Sequence, residues 1–412
     1  MSRAVGPLPR RVGAVVRALR VAPWDGRAIG IAVVTLVLLL TGLLMSFSAS
    51  IVDAAQSGDA FAVLRRQATW AALGVPTFLV VASTDHRVWR RVAWPLFLGV
   101  LVQLLLLAVP GVGITEYGST RWLGVGSLTF QPSELAKLAL LVWVADVLER
   151  KRPAADRLQR TEHLLIPALP ALGIFVLLVL MQPDLGTAII LGLIVGAVLW
   201  VEGLSGRWLA LLSAGGLAGT VILALVVDYR QDRIRGWLRP ELYPLDEGFQ
   251  PLQSRFALGS GGLFGLGLGE SRGKWNFIPN PDTDFVFAVI GEELGLVGAT
   301  AVLLAFLALL WLGLHVAHAA ADGFGRTVAF GVTVGVVGQA LINVGTVIGL
   351  LPITGVTLPL VSAGGTSLLV TLVALGMLAS IARDPATVRA DRGTRGPRAG
   401  ARPSKRPDRS RA

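Results

Sequence analysis

The chain has 412 residues, of which 53% are hydrophobic and 15% are charged. This composition, with a mean hydropathy of +0.67, excludes a soluble globular protein and indicates an integral membrane protein. Cysteine is absent from the sequence, which excludes disulfides and thiolate metal sites. The net charge of +11 does not indicate a nucleic-acid partner, because the basic tails have no interleaved aromatic residues and no binding fold.

Ten apolar runs predict ten transmembrane helices, since about 20 helical residues cross the hydrocarbon core of a bilayer. The predicted fold is therefore an all-α polytopic membrane protein. The first run is longer than the core of a signal peptide, about 7–15 residues, so we interpret it as a helix and not as a cleaved leader. The runs lie at residues 28–48, 68–83, 92–110, 132–148, 164–181, 185–201, 208–227, 285–312, 327–350 and 360–382.

Lysine and arginine are distributed unequally between the two sides of these runs. With the N-terminus inside, the cytoplasmic segments hold 26 of the 37 residues of these two types. Because cytoplasmic loops keep positive charge, both termini are predicted to be cytoplasmic. Residues 1–27 form a basic N-terminal segment, residues 28–383 the transmembrane domain, and residues 384–412 a basic tail that is predicted to be disordered.

Two predicted outer loops are longer than a simple connection needs. Residues 111–131 contain Arg121, and residues 228–283 contain seven of the ten outer cations, among them Arg272 and Lys274. Positive charge on the outer side departs from the overall trend and indicates an anionic ligand there. In the alternative interpretation, these cations pair with acidic residues of the same loop.

Acidic residues recur at the predicted outer starts of the fourth, sixth and eighth helices. Glu134 and Lys137 lie three residues apart on one helix face, which predicts an inward-facing ion pair that lines a polar cavity. In the alternative interpretation, Glu134 interacts with the helix dipole and Lys137 reaches the membrane interface. Asp184 follows Pro183 at the start of the sixth helix, where helix capping is a sufficient explanation for it. The recurrence favours a shared cavity, although the sequence does not prove that these acids converge.

Asp284, at the start of the eighth helix, is the predicted chemical centre. Pro279 and Pro281 precede it and impose an extended approach to the helix. Helix capping is the alternative interpretation of this carboxylate. The apolar side chains of Phe285 and Phe287 would raise its pKa towards the range that suits a general base.

Glu292 and Glu293 lie two turns deeper in the same predicted helix, where an unpaired carboxylate is costly. We expect them to serve the structure by bonding polar groups such as Gln339 or Asn343 on the ninth helix.

Two segments are rich in small residues. Residues 259–269 are glycine-rich but end in no Lys-Ser pair, which indicates close backbone packing or a re-entrant segment and not a phosphate loop. Residues 351–367 carry hydroxyls and glycines that would permit close packing or the approach of a substrate. The histidines show no metal-ligand spacing and fall near predicted helix ends, at His86, His163, His315 and His318.

Several motifs occur together along the chain: Arg121-Trp122, residues 131–137 (Gln-Pro-Ser-Glu-Leu-Ala-Lys), residues 182–187 (Gln-Pro-Asp-Leu-Gly-Thr), residues 253–269, Thr283-Asp284-Phe285, residues 291–295 (Gly-Glu-Glu-Leu-Gly), and Leu358-Pro359-Leu360 with Ser362, Gly364 and Gly365. On these motifs the sequence resembles the SEDS family (shape, elongation, division, sporulation), the group of RodA, FtsW and SpoVE. The resemblance covers residues 28–383, and residues 274–280 with 288–293 look closer to the division members than to the elongation members.

This resemblance implies a peptidoglycan glycosyltransferase that polymerises lipid II on the outer face of the cytoplasmic membrane. The family's essential aspartate corresponds to Asp284, its cavity acid and lysine to Glu134 and Lys137, and its second cavity acid to Asp184. Further candidate site residues are Arg121, Lys274, Arg272 and Ser362. The chain departs from the family near Asp282 and Thr283, where histidine or asparagine is usual, and at Ala363, where tyrosine is common.

By hypothesis, Asp284 takes the proton of the sugar 4-hydroxyl of incoming lipid II as that hydroxyl attacks the lipid-linked strand, and cations meet the developing negative charge. The resemblance implies further partners: a class B penicillin-binding protein that crosslinks in trans, other divisome proteins, and the membrane at the division septum. No cofactor or metal is predicted, and a divalent cation is left open. The alternatives are a lipid II flippase or transporter, an elongation polymerase, and a non-catalytic divisome scaffold.

Overall fold

The computed structural model describes residues 24–56, 58–116, 119–125, 128–151, 160–226, 228–273 and 281–384. This part of the chain is mostly helical, which confirms the predicted fold class. The predicted basic tail after Asp384 and most of the predicted N-terminal segment lie outside the described residues. In chain order the helices are α1 (Gly26–Gln56), α2 (Ala62–Ser83), α3 (Trp89–Leu107), α4 (Pro132–Lys151), α5 (Arg160–Leu180), α6 (Leu185–Val201), α7 (Gly206–Val226), α8 (Asp228–Leu238), α9 (Phe249–Ser260), α10 (Val286–Ala319), α11 (Gly323–Val347) and α12 (Gly365–Ala382).

Each of the ten predicted runs coincides with one long helix, α1–α7 or α10–α12. Seven helices of the described part are long and apolar enough to span a membrane, namely α1, α3, α5, α7, α10, α11 and α12. Helix α6 is apolar but shorter, at 17 residues, and α4 carries charges near both ends. The exact number of spans and the cytoplasmic placement of the termini stay predictions.

The two loops that are predicted to lie on the outer side contain structure that the sequence analysis did not predict. The first holds a three-stranded antiparallel sheet of β1 (Ile114–Glu116), β2 (Ser119–Val125) and β3 (Leu128–Phe130) in the order β1-β2-β3. Two of these strands have only three residues, which is too short for an alternating pattern to be recognised. The second loop contains helices α8 and α9.

Helix α11 lies at the centre of the protein. It packs against α4, α6, α10 and α12, and most of its residues are buried. Helix α7 is the opposite case, because its candidate span has no buried residue. Polar side chains on α11 are therefore enclosed by protein and must find partners on neighbouring elements.

Helix α10 is broken at Gly295, which has φ 68° and ψ −167°. Two hydrogen bonds that would continue the helix across the break are replaced by four bonds to the glycine-rich segment 262–267, so these four backbone groups of α10 keep hydrogen-bond partners. A Cβ at Gly261 or Gly265 would overlap the backbone of α10, which confirms the predicted close packing. The four bonds are Leu266 N–H to Glu292 O (2.9 Å), Gly267 N–H to Glu293 O (3.1 Å), Leu296 N–H to Gly262 O (2.9 Å) and Val297 N–H to Leu263 O (3.1 Å).

Candidate active site

Asp284 lies two residues before α10, on a backbone segment that neighbouring elements hold in place. The segment 282–284 makes three hydrogen bonds, to α11 and to the loop before α12. Each of these bonds ends on a backbone carbonyl, so the side chain of Asp284 is not used to hold the segment in place. The bonds are Asn343 Nδ2–H to Asp284 O (2.8 Å), Ala363 N–H to Asp282 O (2.8 Å) and Ser362 Oγ–H to Thr283 O (2.5 Å).

The Asp284 carboxyl is partly buried, and its surroundings set its acidity. Burial raises its pKa to about 6, and the positive charges of Arg233 and Arg121 oppose that rise. The negative charges of Asp184 and Asp282 add to it. At neutral pH this carboxyl is mostly ionised, yet it is a stronger base than an ordinary aspartate, which suits proton abstraction.

The structure brings Arg121 to this site from strand β2. Its guanidinium donates to the backbone oxygens of Gln182 at 2.9 Å and Pro183 at 2.6 Å, in the turn between α5 and α6. These bonds fix its charge beside Asp184 and within electrostatic reach of Asp284.

Arg233 on α8 is a site residue that the sequence analysis did not single out. Its guanidinium donates to Ile353 O at 3.1 Å, and its charge opposes the raised pKa of Asp284 more strongly than that of Arg121. It was one of seven cations in the outer loop, and no feature of the sequence separates it from the others.

Two further predicted cations are placed differently. Arg272 has an exposed side chain, and its backbone N–H bonds Glu292 at 3.0 Å, roughly 9 Å along α10 from its first residue. Lys274 lies outside the described residues. Among the described residues, the cations that act on Asp284 are thus Arg121 and Arg233.

Asp184 joins the starts of α4 and α6. It caps α6 by accepting from Thr187 N–H at 3.0 Å and from the Thr187 hydroxyl at 2.8 Å. It also accepts from the Ser133 hydroxyl at 3.2 Å and from the Gln131 amide at 3.3 Å. Capping therefore accounts for part of its role, while its charge also acts on Asp284.

Glu134 and Lys137 form the predicted inward-facing ion pair, with Oε2 and Nζ 2.8 Å apart. Lys137 also donates to Gln339 Oε1 on α11 at 2.7 Å, and Gln339 donates to Thr357 O at 3.0 Å. A cavity of about 40 Å³ lies beside the pair. Its polar lining includes Lys137, Gln339 and Thr371, and small residues such as Gly331, Gly335 and Ala374 leave the space open.

Ser362 is buried, and its hydroxyl both accepts a hydrogen bond from the backbone and donates one to it. It accepts from Leu358 N–H at 2.8 Å and donates to Thr283 O. The structure therefore places Ser362 as a support of the Asp284 segment.

The prediction that Glu292 and Glu293 bond Gln339 or Asn343 was wrong. Gln339 and Asn343 bond Lys137 and Asp284 instead. Glu292 accepts from residues 271–273 of the outer loop, and Glu293 accepts from the Ser48 hydroxyl on α1 at 2.7 Å. The break at Gly295 explains the difference, because it brings the outer loop against this turn of α10.

One group of histidine and acidic side chains in the described residues has metal-ligand spacing: His86, Asp322 and Asp384. Arg87 Nη2 lies 2.7 Å from Asp322 and 2.9 Å from Asp384, so one guanidinium already pairs with both carboxylates. Asp322 follows the far end of α10, a helix of 34 residues, so this ion-pair group is remote from Asp284.

Comparisons with known proteins agree on one family. Residues 30–386 match the model of the FtsW, RodA and SpoVE family, described as "Cell cycle protein". The chain is 42% identical over 384 residues to "Probable peptidoglycan glycosyltransferase FtsW" of Mycobacterium tuberculosis, covering 91% of this chain and 72% of the relative. It is 40% identical over 352 residues to "Stage V sporulation protein E" of Bacillus subtilis, covering 85% of this chain and 95% of the relative.

Two solved structures are similar over 88% of this chain and 98% of their own. One belongs to a peptidoglycan synthase complex described as coordinating polymerization and crosslinking, with a TM-score of 0.70 and 32% identity. The other is the rod shape determining protein RodA of Thermus thermophilus, with a TM-score of 0.64 and 30% identity.

Proposed function

The chain belongs to the FtsW, RodA and SpoVE family of cell cycle proteins, and we propose that it polymerises lipid II with Asp284 as the general base. It is a peptidoglycan glycosyltransferase, the activity named for its FtsW relatives. The observation that carries the proposed role of Asp284 is the combination of a fixed backbone and a pKa of about 6. Such a carboxylate is aligned and ionised at neutral pH without being a weak base.

In the proposed reaction, Asp284 accepts the proton of the 4-hydroxyl of incoming lipid II. The hydroxyl oxygen forms a bond to the anomeric carbon of the lipid-linked strand, with inversion. The bond from that carbon to undecaprenyl pyrophosphate breaks, and the electron pair leaves with the pyrophosphate. Arg121 and Arg233 supply positive charge next to the reacting groups, where it stabilises the negative charge that develops on the leaving group.

The proposed location is the outer side of the cytoplasmic membrane at the division septum. The excess of lysine and arginine on the N-terminal side supports this orientation. The 42% identity to an FtsW protein supports a role in division.

The proposed partners are a class B penicillin-binding protein and other divisome proteins. A similar chain of known structure is part of a peptidoglycan synthase complex that coordinates polymerization with crosslinking. A glycosyltransferase of this fold thus occurs together with a crosslinking activity, and we expect this chain to be stimulated by a cognate transpeptidase.

Polymerisation of lipid II by the purified full chain, with and without the transpeptidase, tests the proposal. Asp284→Ala and Asp284→Asn should give no glycan product on gels while eluting as the wild-type protein does. Asp246→Asn, which changes an exposed acid of the same outer loop, should remain active. Glycan product from Asp284→Ala would overturn the role of Asp284, and translocation of labelled lipid II by an inactive wild-type chain would favour a flippase.

A further inference from the structure

We propose that Glu292 is a positioning residue, whose buried carboxylate fixes the start of the outer-loop segment that ends at Asp284. This inference rests on the proposed function of Asp284. It concerns the path of the chain into the active site and not the proton transfer itself.

Glu292 is buried, with only 2% of its surface exposed. Its carboxylate accepts from the Ser271 hydroxyl, from Arg272 N–H at 3.0 Å and from Gly273 N–H at 3.2 Å. Three successive residues thus direct donors at one carboxylate, an arrangement in which backbone N–H groups compensate a negative charge. Among the described residues, no lysine or arginine side chain lies within ion-pair distance of Glu292.

The backbone of Glu292 holds the same loop a second time. Because α10 is broken at Gly295, the Glu292 carbonyl accepts from Leu266 N–H at 2.9 Å and not from its own helix. Residue 266 and residues 271–273 are therefore bound to one residue of α10. If the loop shifted, it would leave a buried carboxylate and a buried carbonyl without donors, which is strongly unfavourable.

These contacts fix one end of the connection that leads to the active site. Gly273 is the last residue bonded to Glu292, and eight residues separate it from the bonded segment 282–284, where Asn343 and Ser362 hold the other end. The first end is thus held by α10, and the second end by α11 and the loop before α12. Loss of the first attachment should change how Asp284 and the outer-loop cations are presented to lipid II, because catalysis depends on sub-ångström alignment.

The test uses the purified full chain with Glu292→Gln, which keeps the size of the side chain and removes its charge. Glu270→Gln is the matched control, because Glu270 lies in the same loop but is exposed. We expect Glu292→Gln to lower kcat for lipid II polymerisation roughly 10- to 100-fold with little change in KM. Amide hydrogen exchange at residues 271–273 should become faster in the same variant, and Glu270→Gln should change neither quantity.

Ser271→Ala removes one of the three donors that residues 271–273 direct at Glu292, and it should give a smaller loss of kcat. In combination with Glu292→Gln it should add almost nothing, because both changes remove the same contact. Two results would overturn the inference: unchanged kcat despite faster exchange at residues 271–273, or lost activity with unchanged exchange. An active Asp284→Asn variant would instead refute the proposed function, whatever the behaviour of Glu292→Gln.

Discussion

The side-chain amide of Asn343 donates to the backbone oxygen of Asp284 at 2.8 Å and to that of Val356 at 2.7 Å. Gln339, one turn earlier on the same face of α11, accepts from Lys137 at 2.7 Å. One face of the central helix therefore connects the proposed base with the ion pair on α4. The two parts of the candidate site are held by a single buried element.

Asn343→Asp tests this connection. The substitution keeps the shape of the side chain but directs a carboxylate oxygen at two carbonyl oxygens, which removes both hydrogen bonds and adds repulsion. We expect a loss of stability of about 1–3 kcal/mol and a fall in lipid II polymerisation of roughly 100-fold. Activity within twofold of wild type would show that this amide does not align Asp284. A melting curve of the same sample separates misalignment from unfolding.

The rate of polymerisation should depend on pH through Asp284. Burial raises its pKa to about 6, and a general base acts only when it is ionised. We therefore expect kcat/KM to rise with pH and to level off above pH 7, with a midpoint near 6. Below the midpoint the rate should fall ~10-fold per pH unit. Initial rates with labelled lipid II between pH 5 and 8 measure this profile, and a flat profile would contradict the prediction.

Arg233→Gln should shift the midpoint of this pH–rate profile in a direction that the charges determine. Its positive charge favours the ionised carboxylate, so its removal should raise the pKa of Asp284 further and move the midpoint to higher pH. Arg235→Gln is the matched change, because Arg235 lies on the same helix and pairs with Asp232 at 3.4 Å. Its midpoint should stay at the wild-type value.

Stability should also reveal the raised pKa of Asp284. Since the folded-state pKa of about 6 lies above the unfolded value of roughly 3.9, the folded state binds more protons between these values. Stability is therefore lost as pH rises from about 4 to 6. At pH 7.5 the free energy of unfolding of Asp284→Asn should exceed that of wild type by up to about 3 kcal/mol, which is measured as a higher melting temperature. This difference should shrink towards pH 4. A variant that is less stable at pH 7.5 would contradict this account.

The features that the sequence predicted correctly are local ones. Apolar runs of about 20 residues identified the long helices, because the bilayer requirement acts on continuous segments. Glu134 and Lys137 were recognised as a pair because three residues separate positions on one helix face. The close packing of residues 259–269 was also predicted from a local property, since a run of glycines permits a neighbouring backbone to approach closely.

The features that were missed depend on contacts between distant parts of the chain. Asn343 and Asp284 are 59 positions apart, and Lys137 and Gln339 are 202 apart, so no periodicity relates them. Arg233 is distinguished from its neighbouring cations only by where α8 lies. The partners of Glu292 were assigned wrongly because an unbroken helix was assumed, whereas Gly295 breaks it.

Lys137→Met tests the buried ion pair on α4. The residue Glu134 is 7% exposed, and without the ammonium group 2.8 Å away its charge would be left uncompensated. We expect a loss of about 3–5 kcal/mol, measured as a lower melting temperature and a lower yield of monodisperse protein in detergent. The double variant Glu134→Gln, Lys137→Met should recover much of this loss, because the unpaired charge is then removed. If the single variant melted like wild type, the pair would not be held in a low-dielectric site, and its inward position would have to be revised.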